Sequence, residues 1–345
     1  MQTICKKCVM DTTAKEITFN EEGVCNFCLQ AQKALREIEV ERPNLPKIIN
    51  QIKKDGGKVL LGLSGGVDSS ITLHNAIQLG LKPTCFSLDN KWNTKEADSN
   101  VKNLVDKTGV EFIKYEIDFD KYSDLQSAFI EAGLPNIEIP TDHILMAATY
   151  ETAAKHGIKW ILSGGNTATE SIMPRSWGYQ ARDLTHIKDV YRRIKGKKLT
   201  GLPVCGLLKW NYYRWIKGIK IVNLPDYFEY NREKAIKLLK KEYDYKTYGE
   251  KHCESTWTWW FQNYYLFNKF GIDKRKAHLS SLINSGQMTR KEALQELQKP
   301  PVYPKLGIEE AVMKWPKHDH YEFKTDEWLF NLISKVVRYV KKLAM

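Results

Sequence analysis

Ser64-Gly65-Gly66-Val67-Asp68-Ser69-Ser70 stands where the chain's periodicity changes. Before it runs Lys58-Val59-Leu60-Leu61-Gly62-Leu63, an apolar stretch with the length of a buried strand. After it runs Ile71 to Gly80, which reads as a helix closed by a glycine. Strand, glycine-rich turn and helix N-terminus together make an anion site. Gly65 and Gly66 let backbone approach a phosphate, because no Cβ intervenes. First-turn N–H groups and the helix dipole point at the same place. Ser64, Ser69 and Ser70 add hydroxyl donors. No lysine follows the glycines, so the string is not the GxxxxGK[ST] loop, and its spacing is not GxGxxG.

Downstream, strand and helix patterns alternate. Strands are predicted at 58–63, 83–88, 110–117 and 158–163, and helices at 68–79, 94–108, 121–132 and 141–156. This alternation predicts an α/β fold with a parallel sheet covered on both faces. Ligands of such sheets bind beyond the carboxyl ends of the strands, where the loop at 64–70 lies. Residues 167–204 show no periodicity and read as a long loop closing over the site. From 205 the chain reads as mostly helical. The aromatic stretch 257–270 reads as a buried helix, and 325–343 as a closing amphipathic one. The expected organisation is a cysteine module (1–30), a helical linker (31–55), a nucleotide-binding domain (56–204) and a helical substrate-binding region (205–345).

Cys5-x2-Cys8 and Cys25-x2-Cys28 are four of seven cysteines. Two such knuckles place four thiolates in a tetrahedron, which suits zinc in a closed, structural site, with a rubredoxin-like iron as the alternative. About thirty residues cannot bury a sufficient core alone, so the metal would stabilise the module. Cys85, Cys205 and Cys253 are isolated. The N-terminus shows no signal-peptide pattern and no apolar run is long enough for a transmembrane helix, so a cytoplasmic location is expected. The net charge of +12 is read as serving small polyanions; neither nucleic acid nor a membrane is the expected partner.

The loop resembles the SGGxDS motif of the PP-loop ATP pyrophosphatases. Their reaction splits ATP between the α and β phosphates and places AMP on a substrate oxygen. The resemblance implies that Ser64, Gly65, Gly66, Asp68, Ser69 and Ser70 hold the pyrophosphate, with Asp68 needed for turnover. It also implies that Ser87, Asp89 and Asn90, closing the second strand, meet adenosine. Gly164, Gly165 and Asn166, closing the fourth, would touch ATP, and Glu170 would help hold Mg2+. Mg2+ is expected in any case to neutralise the leaving pyrophosphate. Asp142, with Thr141 as cap, is either a first-turn acid or a catalytic group; His143 is a base or a substrate contact.

Over residues 1–293 a narrower resemblance appears, to the N-acetyl sugar amidotransferases of bacterial surface-polysaccharide biosynthesis. It is carried by Cys5-Lys6-Lys7-Cys8-Val9-Met10-Asp11, Gly23-Val24-Cys25-Asn26-Phe27-Cys28, Thr141-Asp142-His143, Lys251-His252-Cys253-Glu254-Ser255 and Asp273-Lys274-Arg275-Lys276-Ala277-His278-Leu279-Ser280. It implies that an acetamido group of a nucleotide-linked sugar becomes acetamidino through an adenylated imidate attacked by ammonia. Ammonia would come from glutaminase and cyclase-like subunits similar to the histidine-biosynthesis pair. Lys251, His252, Glu254, Lys274, Arg275 and His278 would hold the sugar nucleotide. The alternative is a PP-loop tRNA-modifying enzyme of thiolation or lysidine type.

Overall fold

The computed structural model describes residues 3–248 and 253–333. Two helices, α1 (Asn26–Glu41) and α2 (Leu45–Lys54), lead into the sheet; a short 3-10 turn starting at Arg42 and carrying Pro43 separates them. Strands and helices then alternate: β1 (Lys58–Gly62), α3 (Val67–Gln78), β2 (Lys82–Asp89), α4 (Lys95–Thr108), β3 (Glu111–Glu116), α5 (Phe119–Glu131), α6 (Ile139–Lys155) and β4 (Trp160–Ser163). These match the predicted elements within two residues at each end. Local capping explains several boundaries: Thr94 accepts from Ala97 N–H at the start of α4, and Asp118 from Lys121 N–H at the start of α5.

After β4 come α7 (Thr167–Glu170), α8 (Leu184–Lys195), α9 (Leu207–Asn211) and β5 (Lys220–Asn223). The order in the sheet is β3-β2-β1-β4-β5, all parallel, with Leu60 opposite Thr84 and Ile161. Each face has its own core. Leu60, Phe86 and Ile161 pack with α5 and α6, while Val59, Leu61, Cys85 and Leu162 pack with α3, α4 and the helix at 232–243. Cys85 is fully enclosed, and burial pushes its thiol up to about 12, in keeping with an inert core cysteine.

One expectation needs correction. The segment 167–204 is not one long loop, because α8 lies in it, capped by Asp183 and closed by Gly196. Its inner face carries His186 and Asp189 beside Ile187, Val190 and Tyr191, and those buried polar residues hide the apolar period. After 204 the chain is mostly helical, as expected, and it also contributes β5, a four-residue edge strand too short to register as a strand pattern.

The chain continues with α10 (Arg232–Tyr243), α11 (Thr256–Trp260), α12 (Arg275–Asn284), α13 (Arg290–Gln298) and α14 (Glu309–Lys314). A π-helical stretch, Phe261–Phe270, prolongs α11, and Trp260, Phe261 and Tyr265 lie inside the core. The aromatic stretch is therefore a buried helix, as expected. Of the helix predicted at 325–343, residues 334–343 lie outside the described residues.

Candidate active site and cysteine centre

The loop after β1 organises itself. Ser70 Oγ donates to Gly66 O at 2.6 Å and Ser69 Oγ to the same carbonyl at 3.1 Å. Gly66 N–H turns back to Ser64 Oγ at 3.2 Å. Ser70 is fully buried, so it shapes the turn from within rather than facing a ligand. Gly65 has φ +77°, and a Cβ there would sit 2.3 Å from Ala97 O; both conformation and space demand glycine. No side chain caps the first turn of α3, which leaves its N–H groups directed at the loop's mouth.

Remote residues brace this loop. Gly65 O accepts from Asn100 Nδ2 at 3.2 Å, Tyr245 OH at 3.0 Å and Tyr248 OH at 3.3 Å. Tyr230 OH donates to Asp68 Oδ1. Burial, then the Asp68 charge, push the Tyr230 hydroxyl well above its ordinary value. Glu254 Oε1 comes within 3.3 Å of where a Cβ on Gly66 would stand. Glu254 is thus beside the phosphate loop.

The loop after β4 presses on the same helix end. A Cβ on Gly164 would lie 3.0 Å from Ser69 N. Asn166 caps α7, its Oδ1 accepting from Thr169 N–H at 2.9 Å, while its buried Nδ2 has no partner. Glu170 Oε2 accepts from Asn166 N–H at 3.4 Å. Asp226 binds Thr167 N–H at 2.6 Å and fixes α7 from the other side.

At the end of β2, Ser87 and Asp89 line a cavity of about 560 Å³. The Asp89 carboxylate is held by Lys91 at 2.6 Å and Lys114 at 2.7 Å. Burial favours its protonation, but the two lysines prevail and hold it below the usual carboxylate range. It therefore anchors cations instead of offering an unengaged acceptor. Asn90 Oδ1 accepts from Trp92 N–H at 3.1 Å.

Acidic groups of α6 gather opposite Lys274, which precedes α12. Glu138, at the entry of α6, is 8% exposed. Asp142, one turn on, is accessible to solvent although protein closely surrounds it. Burial, then the Asp142 charge, push Glu138 up to about 8; burial pushes Asp142 up to about 6 against the pull of Lys274. The Lys274 ammonium faces Asp142, Glu138 and Glu170, yet burial holds it below its ordinary value.

His143 is corrected. It is 2% exposed, with Nδ1 2.7 Å from Ala181 O and Nε2 accepting from Cys205 N–H at 3.1 Å. Both ring nitrogens are consumed by backbone, so it joins two segments and is no base. The Arg275 guanidinium forks onto Asp273 at 2.7 and 3.0 Å and donates to Lys299 O. Arg275 and His278, with Thr169 and Arg232, line a separate cavity of about 280 Å³. Lys251 and His252 lie outside the described residues. Glu138, Tyr230 and Arg232 escaped sequence reading; no motif marks them.

The four cysteines converge as predicted. All are fully buried and their sulfurs lie within 4.8 Å of one another. Cys5 and Cys28 sulfurs are 3.9 Å apart, and those of Cys8 and Cys25 3.7 Å. Those separations match the edges of a tetrahedron with metal–sulfur bonds of about 2.3 Å. Backbone N–H groups of Lys7, Cys8 and Cys25 point at Cys5 Sγ, which stabilises thiolate charge. The module docks on the C-terminal helices: Arg290 donates to Cys8 O at 3.0 Å, Ser280 Oγ accepts from Val9 N–H, and Lys276 meets Asp11 at 2.5 Å. The Lys274–Ser280 string thus divides, Lys274 facing Asp142, Glu138 and Glu170 while Lys276 and Ser280 hold the cysteine module.

A parallel sheet carrying this serine-glycine loop before α3 defines a PP-loop protein. Residues 44–203 match the NAD synthase family. Residues 254–337 match the LPS biosynthesis protein WbpG-like, C-terminal domain. Together they make the chain a WbpG-like member of the PP-loop superfamily, which implies ATP and Mg2+. It is similar to an uncharacterized protein of Methanocaldococcus jannaschii, 25% identical over 314 residues (89% of this chain, 96% of that one). It is 27% identical over 162 residues to an NH3-dependent NAD+ synthetase of Chlorobaculum tepidum, covering 44% of this chain and 56% of that one. A 65-residue stretch is 46% identical to a glutamine-hydrolyzing GMP synthase of Baumannia cicadellinicola, covering 17% of this chain and 12% of that protein. No helix among the described residues is long and apolar enough to cross a membrane.

Proposed function

We propose that this protein is an ATP-dependent N-acetyl sugar amidotransferase that converts an acetamido group of a nucleotide-linked sugar into an acetamidino group. The observation that carries this reading is Lys274, from the WbpG-like domain, facing Glu170, which lies against the loop after β4 that packs on the phosphate-loop end of α3. The loop and the first turn of α3 would hold the pyrophosphate. Asp68, oriented by Tyr230, and Glu254 would complete the shell of a Mg2+ ion, which neutralises the leaving group. An amide oxygen leaves poorly; once it carries AMP the carbon becomes open to ammonia. Ammonia supply by a glutaminase with a cyclase-like subunit, and action in the cytoplasm where ATP is abundant, belong to the same proposal. The cysteine centre would hold zinc in a structural role, since four thiolates leave no open position.

The test is direct. Purified protein given ATP, Mg2+, ammonium and a UDP-linked acetamido sugar should release AMP and pyrophosphate in step with amidine. Pyrophosphate release indifferent to the sugar would reject the assignment.

A further inference from the structure

Glu138 has no part in the reaction so far described. Its Oε2 accepts from Thr258 Oγ1 at 2.9 Å. Its enclosed Oε1 and the buried Trp257 indole Nε1 make no well-aligned hydrogen bond, although the indole lies near enough to favour the carboxylate's charge. Buried polar atoms are normally well paired, and this imperfect pairing leaves the carboxyl ready to take a proton. Asp142 lies one turn further along α6, its N–H donating to Glu138 O at 3.0 Å. Lys274, preceding α12, faces both carboxylates, and Glu170 of α7 faces Lys274. Behind them Tyr122 of α5 is bonded to Thr141 at 2.8 Å. Three acids thus meet one lysine. Yet among the described residues only the cysteines bring three or more ligand atoms close enough for a metal. Surplus carboxylate without chelating geometry suits the uptake of a proton.

Building on the amidotransferase reading, we propose that the Glu138–Asp142 pair takes the proton shed by the nitrogen nucleophile. The lone pair of ammonia forms the C–N bond to the protonated imidate carbon. One N–H proton passes to a carboxylate oxygen of the pair. The C–O bond to AMP then breaks, its electrons leaving on the phosphate oxygen, and the product departs as an amidinium. The pair returns its proton to water. Both carboxyls are held high, at about 8 and about 6, so the pair shares a proton near neutrality and gains accepting power as pH rises.

Glu138→Gln separates the two halves of the reaction, with Asp142→Asn as a second variant on the same helix. Sugar-dependent pyrophosphate release in a single turnover without ammonia should stay within about two-fold of wild type. Amidine formation should fall about 100-fold, and, with free ammonia held constant across the series, the rise of the wild-type rate between about pH 6 and 8 should disappear. Hydroxylamine, whose adduct nitrogen is less basic and gives its proton to water more readily, should recover the rate to within about ten-fold of wild type. Unchanged ammonium kinetics in both variants would overturn the proton-acceptor role alone. So would an equal loss of pyrophosphate release with no hydroxylamine recovery, the mark of a purely structural residue. Wild-type enzyme that releases no sugar-dependent pyrophosphate would instead sink the amidotransferase reading, and this role with it.

Discussion

The phosphate loop and the cysteine module are both short, both glycine- or cysteine-marked, and differ in what distant segments add to them. Within the loop, Ser64, Ser69 and Ser70 close the turn on Gly66 over seven residues, and Asn100, Tyr245 and Tyr248 brace Gly65 O from outside. The module has local bonds, Cys5 N–H to Met10 O at 2.9 Å and Lys6 N–H to Gly23 O at 3.0 Å among them, but its outer surface is completed by Lys276, Ser280 and Arg290, more than 260 residues along the chain. A loop that must grip and release a polyanion gains from carrying its own geometry. A module with almost no core must borrow surface, and here it borrows from the domain that also supplies Lys274.

The largest effect that would sharpen this contrast is metal loss. Cys25→Ser should abolish stoichiometric metal and unfold residues 1–30, with a stability loss of several kcal/mol out of the roughly 10–16 kcal/mol such sites contribute; metal analysis and calorimetry read this, and a full complement of metal would break the ligand assignment. Next, Asp68→Ala should reduce turnover to about 1% or less while leaving the melting curve near wild type, as pyrophosphate and thermal assays will show. Lys276→Met strands the buried Asp11 carboxylate and should cost about 3–5 kcal/mol. Burial acts to raise Asp11, but the bonds from Lys276 and Thr13 outweigh it and hold the folded carboxyl below its ordinary value. That stability is therefore present above about pH 4 and lost as pH falls through the lowered folded value; acid melts of the wild type should show the loss and the variant should lack it. Smallest, Tyr230→Phe removes one remote brace from a loop that closes itself and should cost about 1 kcal/mol or less in stability, with turnover reduced only several-fold. A collapse as large as that of Lys276→Met would erase the distinction between the two regions.

Glu138 gives a further contrast. Its carboxyl is raised by burial and by Asp142, so the folded state binds the proton more tightly and loses stability as pH rises from the unfolded value toward about 8. Glu138→Gln should therefore stabilise the protein by about 1–3 kcal/mol at alkaline pH and by little near pH 4, in melts recorded across that range.

Much of the fold was legible because strand and helix periods alternate cleanly from Lys58 to Ser163. What escaped had a local reason. The polar inner face of α8 hid its period, and β5 is too short to show one. His143 and Arg275 looked available for chemistry, since nothing in the sequence reveals Ala181 O, Cys205 N–H or the Asp273 fork closing on them. Glu138 carries no motif in the sequence, and only its enclosure beside Thr258 makes it unusual.

The amino-acid sequence alone determined the parallel sheet, the phosphate loop and the four-thiol cluster. Each depends on neighbours within a few residues or on ligand types that few other chemistries use. Only the tertiary structure decided which charged groups are spent and which are poised. Burial and partnership set the charge state of a side chain, and both come from segments hundreds of residues apart: Lys274 arriving at Asp142, and Lys276, two residues later, at Asp11.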